Sequence, residues 1–168
     1  VSGHTDNSIF IDADIDTVWS ITNDLPSWPD LFTEYASVEI LEATGNTFKF
    51  RLTMRPDENG TAWSWVSERT LDPVAHEVRA YRIETGPFEY MHIHWTYAAE
   101  ATGTRMRWVQ DFHMRPAAPL DDAGMTARIN TNTAREMAVI RDKVERAAAV
   151  GSTVLIVDAP VAGVPEQV

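Results

Sequence analysis

The sequence predicts an α+β domain, a seven-stranded antiparallel sheet wrapped round a long C-terminal helix with two short helices near the N-terminus. Two observations carry that prediction: turn signals recur at short intervals between residues 37 and 114, and one uninterrupted helical repeat follows them. Chain length bounds it. With 168 residues, 44% of them hydrophobic, the chain can fill one core but would leave two undersized.

Taken in order, Asn7 to Ala13 (NSIFIDA) reads as a strand. Asp14 then serves as the N-cap of a helix, IDTVWSITND, with Ile15, Val18, Trp19 and Thr22 on one side. Pro26 and Pro29 break that helix, so a second short helical turn is expected from Trp28 to Phe32. Six strands follow, divided by ATGN at 43–46, DENG at 57–60, DPVA at 72–75, GP at 86–87 and ATGT at 101–104. The loop RPAAPLDD ends in Asp121 and Asp122, acidic residues suited to a helix N-terminus. From about Ala123 to Ala149, Met125, Ile129, Thr133, Met137, Ile140 and Val144 fall on one helical stripe. Residues 151–168 (GSTVLIVDAPVAGVPEQV) read as a tail appended to a domain of residues 1–150.

Composition excludes several chemistries. Fourteen Lys and Arg against 25 Asp and Glu give a net charge of −11, which argues against a duplex nucleic-acid binder because phosphate contacts need a basic surface. The chain has no Cys, so disulfides, thiolate zinc sites and cysteine nucleophiles are closed together. No apolar run approaches the roughly 18 residues of a membrane helix, and Val1 to Asp6 lacks a basic or apolar leader, so a cytoplasmic protein is expected. The glycine-rich phosphate motifs and the GxSxG elbow are absent.

Side chains alternate along a strand, and that alternation exposes an anomaly. In WSWVSER, Trp63, Trp65, Ser67 and Arg69 share one face; in MRWVQDF, Met106, Trp108, Gln110 and Phe112 do; further sets are Phe48, Phe50, Leu52, Met54 and Met91, Ile93, Trp95, Tyr97. Val78, Ala80, Arg82 and Glu84 form a mixed set. A face bound for a core should not carry Arg69, Arg82, Ser67 and Gln110, because an ion removed from water costs several kcal/mol unless paired. Either the arginines pair with Glu84 or reach the sheet edge, or the face lines a small-molecule cavity, which is typically aromatic with a few polar groups. Thr133, on the helix stripe, would face the same space. His92 and His94 have a chelating spacing but sit opposite Met91 and Trp95, and no further ligand accompanies them. Glu34, Glu84 and Asp111 are carboxylates that could act as bases, without a fixed pair spacing.

Collinear strings then identify a resemblance: TDNSI at Thr5, TND at Thr22, WPDLFTEYA at Trp28, RPDENG at Arg55, WSWVSER at Trp63, IETGPFEYM at Ile83, HWTY at His94, MRWVQDF at Met106 and MTARINTNT at Met125. From about Thr5 to Ala149 the chain resembles the monodomain aromatase/cyclases of bacterial type II polyketide synthesis, of tetracenomycin and spore-pigment type, in the START or Bet v 1-like superfamily. The resemblance implies a helix-grip fold with an interior pocket and an enzyme without metal or organic cofactor. Its substrate would be a poly-β-ketone on an acyl carrier protein, supplied by the minimal polyketide synthase. Its reaction would be an intramolecular aldol cyclisation, expected between carbon 9 and carbon 14, then loss of water to give an aromatic first ring. Carried over by position, the resemblance makes Arg69 the main electrostatic group, Tyr35 a proton donor or shuttle, and Ser67 and Gln110 the groups that orient substrate or a water. Arg82 would add polar lining, and Trp28, Phe32, Trp65, Phe88, Met91, Trp95 and Trp108 would shape the bend.

The same fold also serves non-catalytic carriers and chaperones of hydrophobic molecules, so a binding module is the competing class. An acidic carrier protein meeting a chain of charge −11 would need a local basic patch, for which the outward Arg51, Arg55, Arg79, Arg105 and Arg107 are the candidates.

Overall fold

A computed structural model describes the backbone of residues 2–161 and the side chains of residues 2–150. Chain order is β1 (Gly3–Ile11), α1 (Ile15–Thr22), a 3₁₀ turn (Leu25–Ser27), α2 (Trp28–Leu31), β2 (Tyr35–Thr44), β3 (Thr47–Met54), β4 (Ser64–Asp72), β5 (Glu77–Arg82), β6 (Phe88–Glu100), β7 (Gly103–Met114) and α3 (Asp122–Val161). All strands pair antiparallel in one sheet of order β1-β7-β6-β5-β4-β3-β2. Strands β2 to β7 form a meander, as the spacing of turns implies, and β1 returns to lie beside β7.

Local chemistry sets the element ends. The Asp14 carboxylate accepts the Thr17 N–H at 2.9 Å and caps α1, and Asp121 accepts the Gly124 N–H at 2.8 Å at the start of α3. The β2–β3 turn places Gly45 at φ +58°, a conformation that costs glycine nothing. At the β6–β7 hairpin, a Cβ on Gly103 would lie 2.3 Å from the Ile11 carbonyl oxygen, so β1 can approach only because no side chain is there.

The helix stripe reads as predicted. Met137, Ile140 and Val144 are buried against the concave face of the sheet with Ile11, Val18 and Met106. Ile140 has no exposed surface, and truncating such a residue to alanine costs about 2–5 kcal/mol. Met125 and Ile129 pack instead on a smaller cluster of Phe88, Met91, Phe112 and Met114 at the end of β6 and β7. The helix continues past Ala149 to Val161, so the first part of the segment read as a tail is helical backbone; residues 162–168 lie outside the described residues.

One assignment of a face differs. Trp63 precedes β4 and is 56% exposed, because the loop before it folds round the Asp57 carboxylate. That carboxylate accepts the backbone N–H groups of Asn59 and Thr61 and the Trp63 indole N–H.

Candidate active site

Between the concave sheet and α3 lies a cavity of about 220 Å³. Its walls come from two helices and several strands far apart in the chain, which is why no single sequence segment encodes it. Helix α2 supplies Trp28, with Phe32 at its end; β2 supplies Tyr35; β4 supplies Trp65, Ser67 and Arg69; β6 and β7 supply Trp95, Trp108 and Gln110; α3 supplies Thr133. The short α2 exists because Pro29 starts a helix readily but cannot continue the one before it. The turn presents Trp28 to the interior, where its indole N–H is held by the Thr22 carbonyl at 3.0 Å.

The aromatic residues form a continuous stack. Trp95 and Trp108 are cross-strand partners whose rings lie 4.3 Å apart and 11° from parallel. Trp28 stacks on Trp95 at 6.0 Å and on Tyr35 at 5.9 Å, and Phe32 on Trp108 at 5.9 Å. Such rings bury large apolar area with few rotamers to lose, so they fix a shape.

Arg69 sits within this stack. It is 2% exposed, with its guanidinium carbon 4.2 Å from the Trp95 ring centre and 5.0 Å from that of Trp28. Its Nη2 donates to Asn23 Oδ1 at 2.6 Å, while buried Nε has no hydrogen-bond partner among the described residues. Burial pushes the guanidinium pKa down to about 10, against the smaller opposing influence of Tyr97 and Tyr35. It is therefore charged at neutral pH.

Tyr35 feels both ends of the cavity. Burial, then the charges of Glu34 and Glu136, push its hydroxyl well above the usual tyrosine range, and Arg69 and Arg82 pull only weakly the other way. Desolvation outweighs the neighbouring arginines, so the phenol stays protonated and available as a donor.

Arg82 differs from its predicted place. Its guanidinium carbon lies 4.4 Å from the Trp65 ring and 5.2 Å from Phe88, and its Nε donates to the Glu84 backbone carbonyl at 3.1 Å. Burial lowers its pKa to about 10. The Glu84 carboxylate is bound by Arg51 instead, at 2.9 Å. Arg82, Phe88 and Met91 do not line the cavity. Phe88 and Met91 pack in the cluster closed by Phe112 and Met114, farther along the same strands, because a shared strand face extends past the end of the hollow.

Glu136 and Asn23 have no role in the sequence reading, and Glu34 appears there only as one of three carboxylates that could act as a base. Glu136, 3% exposed, accepts the Thr33 backbone N–H at 2.7 Å and the Thr33 hydroxyl. It lies one helical turn beyond Thr133, a spacing that predicts the same face. Glu34 also lines the cavity, and burial, then the charge of Glu136, raises its carboxyl pKa. Asn23 follows α1 as its C-cap, and no local pattern announces a contact with a residue 46 positions away.

The outward arginines are engaged. Arg51, Arg79, Arg105 and Arg107 pair with Glu84, Glu77, Glu100 and Asp6, and Arg55 holds the carbonyls of Thr33 and Pro29. His94 is likewise bound to Glu77 at 2.7 Å.

A family model for polyketide cyclase/dehydrase and lipid transport proteins matches residues 11–137. The chain belongs to that family. It is 60% identical over 145 residues to a Streptomyces cyaneus protein that carries the provisional name polyketide cyclase, covering 86% of this chain and 95% of that one. Among solved structures it resembles the Zhui aromatase/cyclase from Streptomyces sp. R1128, at 23% identity and a TM-score of 0.76 over 87% of this chain and 95% of that one. It also resembles a START superfamily protein from Mycobacterium smegmatis, at 15% identity and 0.70 over 85% and 97%. These two likenesses establish the START or Bet v 1-like fold; the relative at 60% identity places the chain with the family's enzymes, the polyketide cyclases. No helix among the described residues is long and apolar enough to cross a membrane.

Proposed function

We propose that this polyketide cyclase closes and aromatises the first ring of an unreduced poly-β-ketone, joining carbon 9 to carbon 14, while the chain is held on an acyl carrier protein in the cytoplasm. The observation that carries the reading is Arg69, a charged guanidinium with no carboxylate partner among the described residues, set in an aromatic cavity. A protein that only carries hydrophobic molecules has no use for that cost.

The chemistry needs a folded chain more than a strong base, because a carbon between two carbonyls is already acidic. Trp28, Phe32, Trp65, Trp95 and Trp108 bend the chain so that the nucleophilic carbon meets the ketone, which converts an entropic cost into a fixed geometry. The Arg69 guanidinium holds the carbonyl oxygen that gains negative charge as the enolate forms, in surroundings where that interaction is worth far more than in water. Glu34 is the cavity carboxylate available to take the carbon-bound proton, burial and then the charge of Glu136 raising its pKa above that of an ordinary glutamate. The enolate carbon then bonds to the ketone carbon, and the new alkoxide takes the Tyr35 proton. Ser67 and Gln110 orient the chain or a water, and Thr133 adds a hydroxyl from α3. Loss of the new hydroxyl with the adjacent carbon-bound hydrogen releases water, and enolisation completes the ring. Arg82, with Phe88 behind it, stands outside the hollow, where it would meet the part of the chain that leads away; Met91 supports the packing beneath.

Reconstitution with a minimal polyketide synthase, with and without the enzyme, tests the reading. Mass spectrometry and NMR should show spontaneous shunt products replaced by one product with a 9,14-closed aromatic ring. An unchanged mixture across several chain lengths would overturn it.

A further inference from the structure

A buried cation is ordinarily neutralised by a carboxylate, and this protein has 25 acidic residues to choose from. Yet the residue that holds Arg69 is an amide, Asn23. The side chain's orientation is fixed by its neighbours: Nδ2 donates to the Trp19 carbonyl at 3.0 Å and to the Tyr97 hydroxyl at 3.3 Å, and Oδ1 faces the guanidinium. A carbonyl can only accept and a guanidinium can only donate, so the amide cannot be turned round. Tyr97 is in turn bonded to Thr22 at 2.7 Å, and Thr22 to the Val18 carbonyl, which ties the anchor into α1. The titratable groups that face Arg69 are Tyr35 from β2 and Tyr97 from β6. The hydroxyl of Tyr97, like that of Tyr35, is pushed up by burial. The two acids that line the cavity are engaged elsewhere, Glu136 with Thr33 and Glu34 with Arg135.

We propose that Asn23 is a positioning residue that anchors Arg69 through a neutral acceptor, so that the guanidinium is aimed but its positive field is left for a developing enolate oxygen. The proposal rests on the aldol reading above. An aspartate at this position would hold the same guanidinium more firmly and cancel most of its field at the cavity.

The test compares wild type with Asn23→Asp, Asn23→Ala and Arg69→Ala, using two independent readouts. One is kcat in the reconstituted synthase. The other is the ionisation of bound 2-naphthol, a bicyclic phenol whose absorbance reports its charge. Wild type should bind the naphtholate at least tenfold more tightly than naphthol, lowering the bound phenol's pKa by about one unit or more. Asn23→Asp should stay folded, lose about 100-fold in kcat as when an oxyanion donor is removed, and lose the naphthol shift, as Arg69→Ala does. Asn23→Ala should keep the shift and lose kcat, because the charge remains but its aim does not. A folded Asn23→Asp enzyme with wild-type kcat and an unchanged shift overturns the proposal. If that variant does not fold, Asn23→Ala decides, and wild-type kcat there overturns it equally. Failure of wild type to close any ring sinks the aldol reading instead, and the naphthol shift then tests the neutral anchor on its own.

Discussion

At the β4 end of the cavity a guanidinium has no carboxylate partner among the described residues; at the other end two carboxylates, Glu34 and Glu136, stand together with Arg135 at their edge. Arg135, half exposed, lies 3.9 Å from Glu34 and 3.5 Å from Glu136. The acid end thus has a half-exposed arginine within ion-pair distance, whereas Arg69 has no carboxylate partner among the described residues. Glu136 is satisfied by neutral donors of Thr33, as Arg69 is by Asn23. Tyr35 lies between and responds to both, its hydroxyl raised by the acids and lowered by the arginines. The difference teaches that charge here is separated along the hollow: a positive place for an oxygen that becomes negative, and a negative place for a proton that leaves.

The sharpest way to break this comparison is Arg69→Met. Activity in the reconstituted synthase should fall by about 100- to 1,000-fold, while the urea midpoint holds or rises, since replacing a buried ion by an apolar side chain is often neutral or stabilising. A large loss of stability would make Arg69 a structural residue. The acid end should behave oppositely. Glu136→Ala leaves the Thr33 N–H without its acceptor and should cost about 1–3 kcal/mol in urea unfolding.

A smaller effect is expected between the two ends. Tyr35→Phe keeps the stacked ring and removes one donor, so kcat should fall about tenfold, the worth of a hydrogen bond of roughly 1.4 kcal/mol, with KM little changed. The smallest concerns Glu34. Its pKa is raised in the folded state, by burial first and Glu136 second. Between the unfolded and folded values the native state therefore binds more protons, and stability falls as pH rises through that interval. Glu34→Gln should accordingly unfold at higher urea than wild type at pH 7 and show no advantage well below the carboxylate range. An advantage independent of pH would detach the effect from ionisation.

Much of the wall was legible because strands alternate. Trp65, Ser67 and Arg69 share a face by parity alone, as do Trp108 and Gln110, and the stripe through Thr133 and Met137 follows from helical spacing. Neither parity, which sets Met91 on the face of Trp95, nor the resemblance, which assigns Phe88 and Met91 to the bend, says how far along the strand the hollow extends, and both residues lie in a closed cluster. Nor does parity say where a strand begins, and Trp63 fell outside β4 for that reason. Parity leaves open whether Arg82 pairs with Glu84, reaches the sheet edge or lines the cavity; the Glu84 carboxylate is taken by Arg51 on the neighbouring β3.

The sequence by itself determined the order of elements, the inward face of β3, β6 and β7 and of most of β4, the buried stripe of α3 and the presence of polar side chains on an aromatic surface, because these follow from local periodicity. Tertiary structure alone decided which polar groups meet. Asn23 reaches Arg69 across 46 positions and Glu136 reaches Thr33 across 103, and whether a buried charge is neutralised or left open depends on those distant partners, which no local pattern encodes.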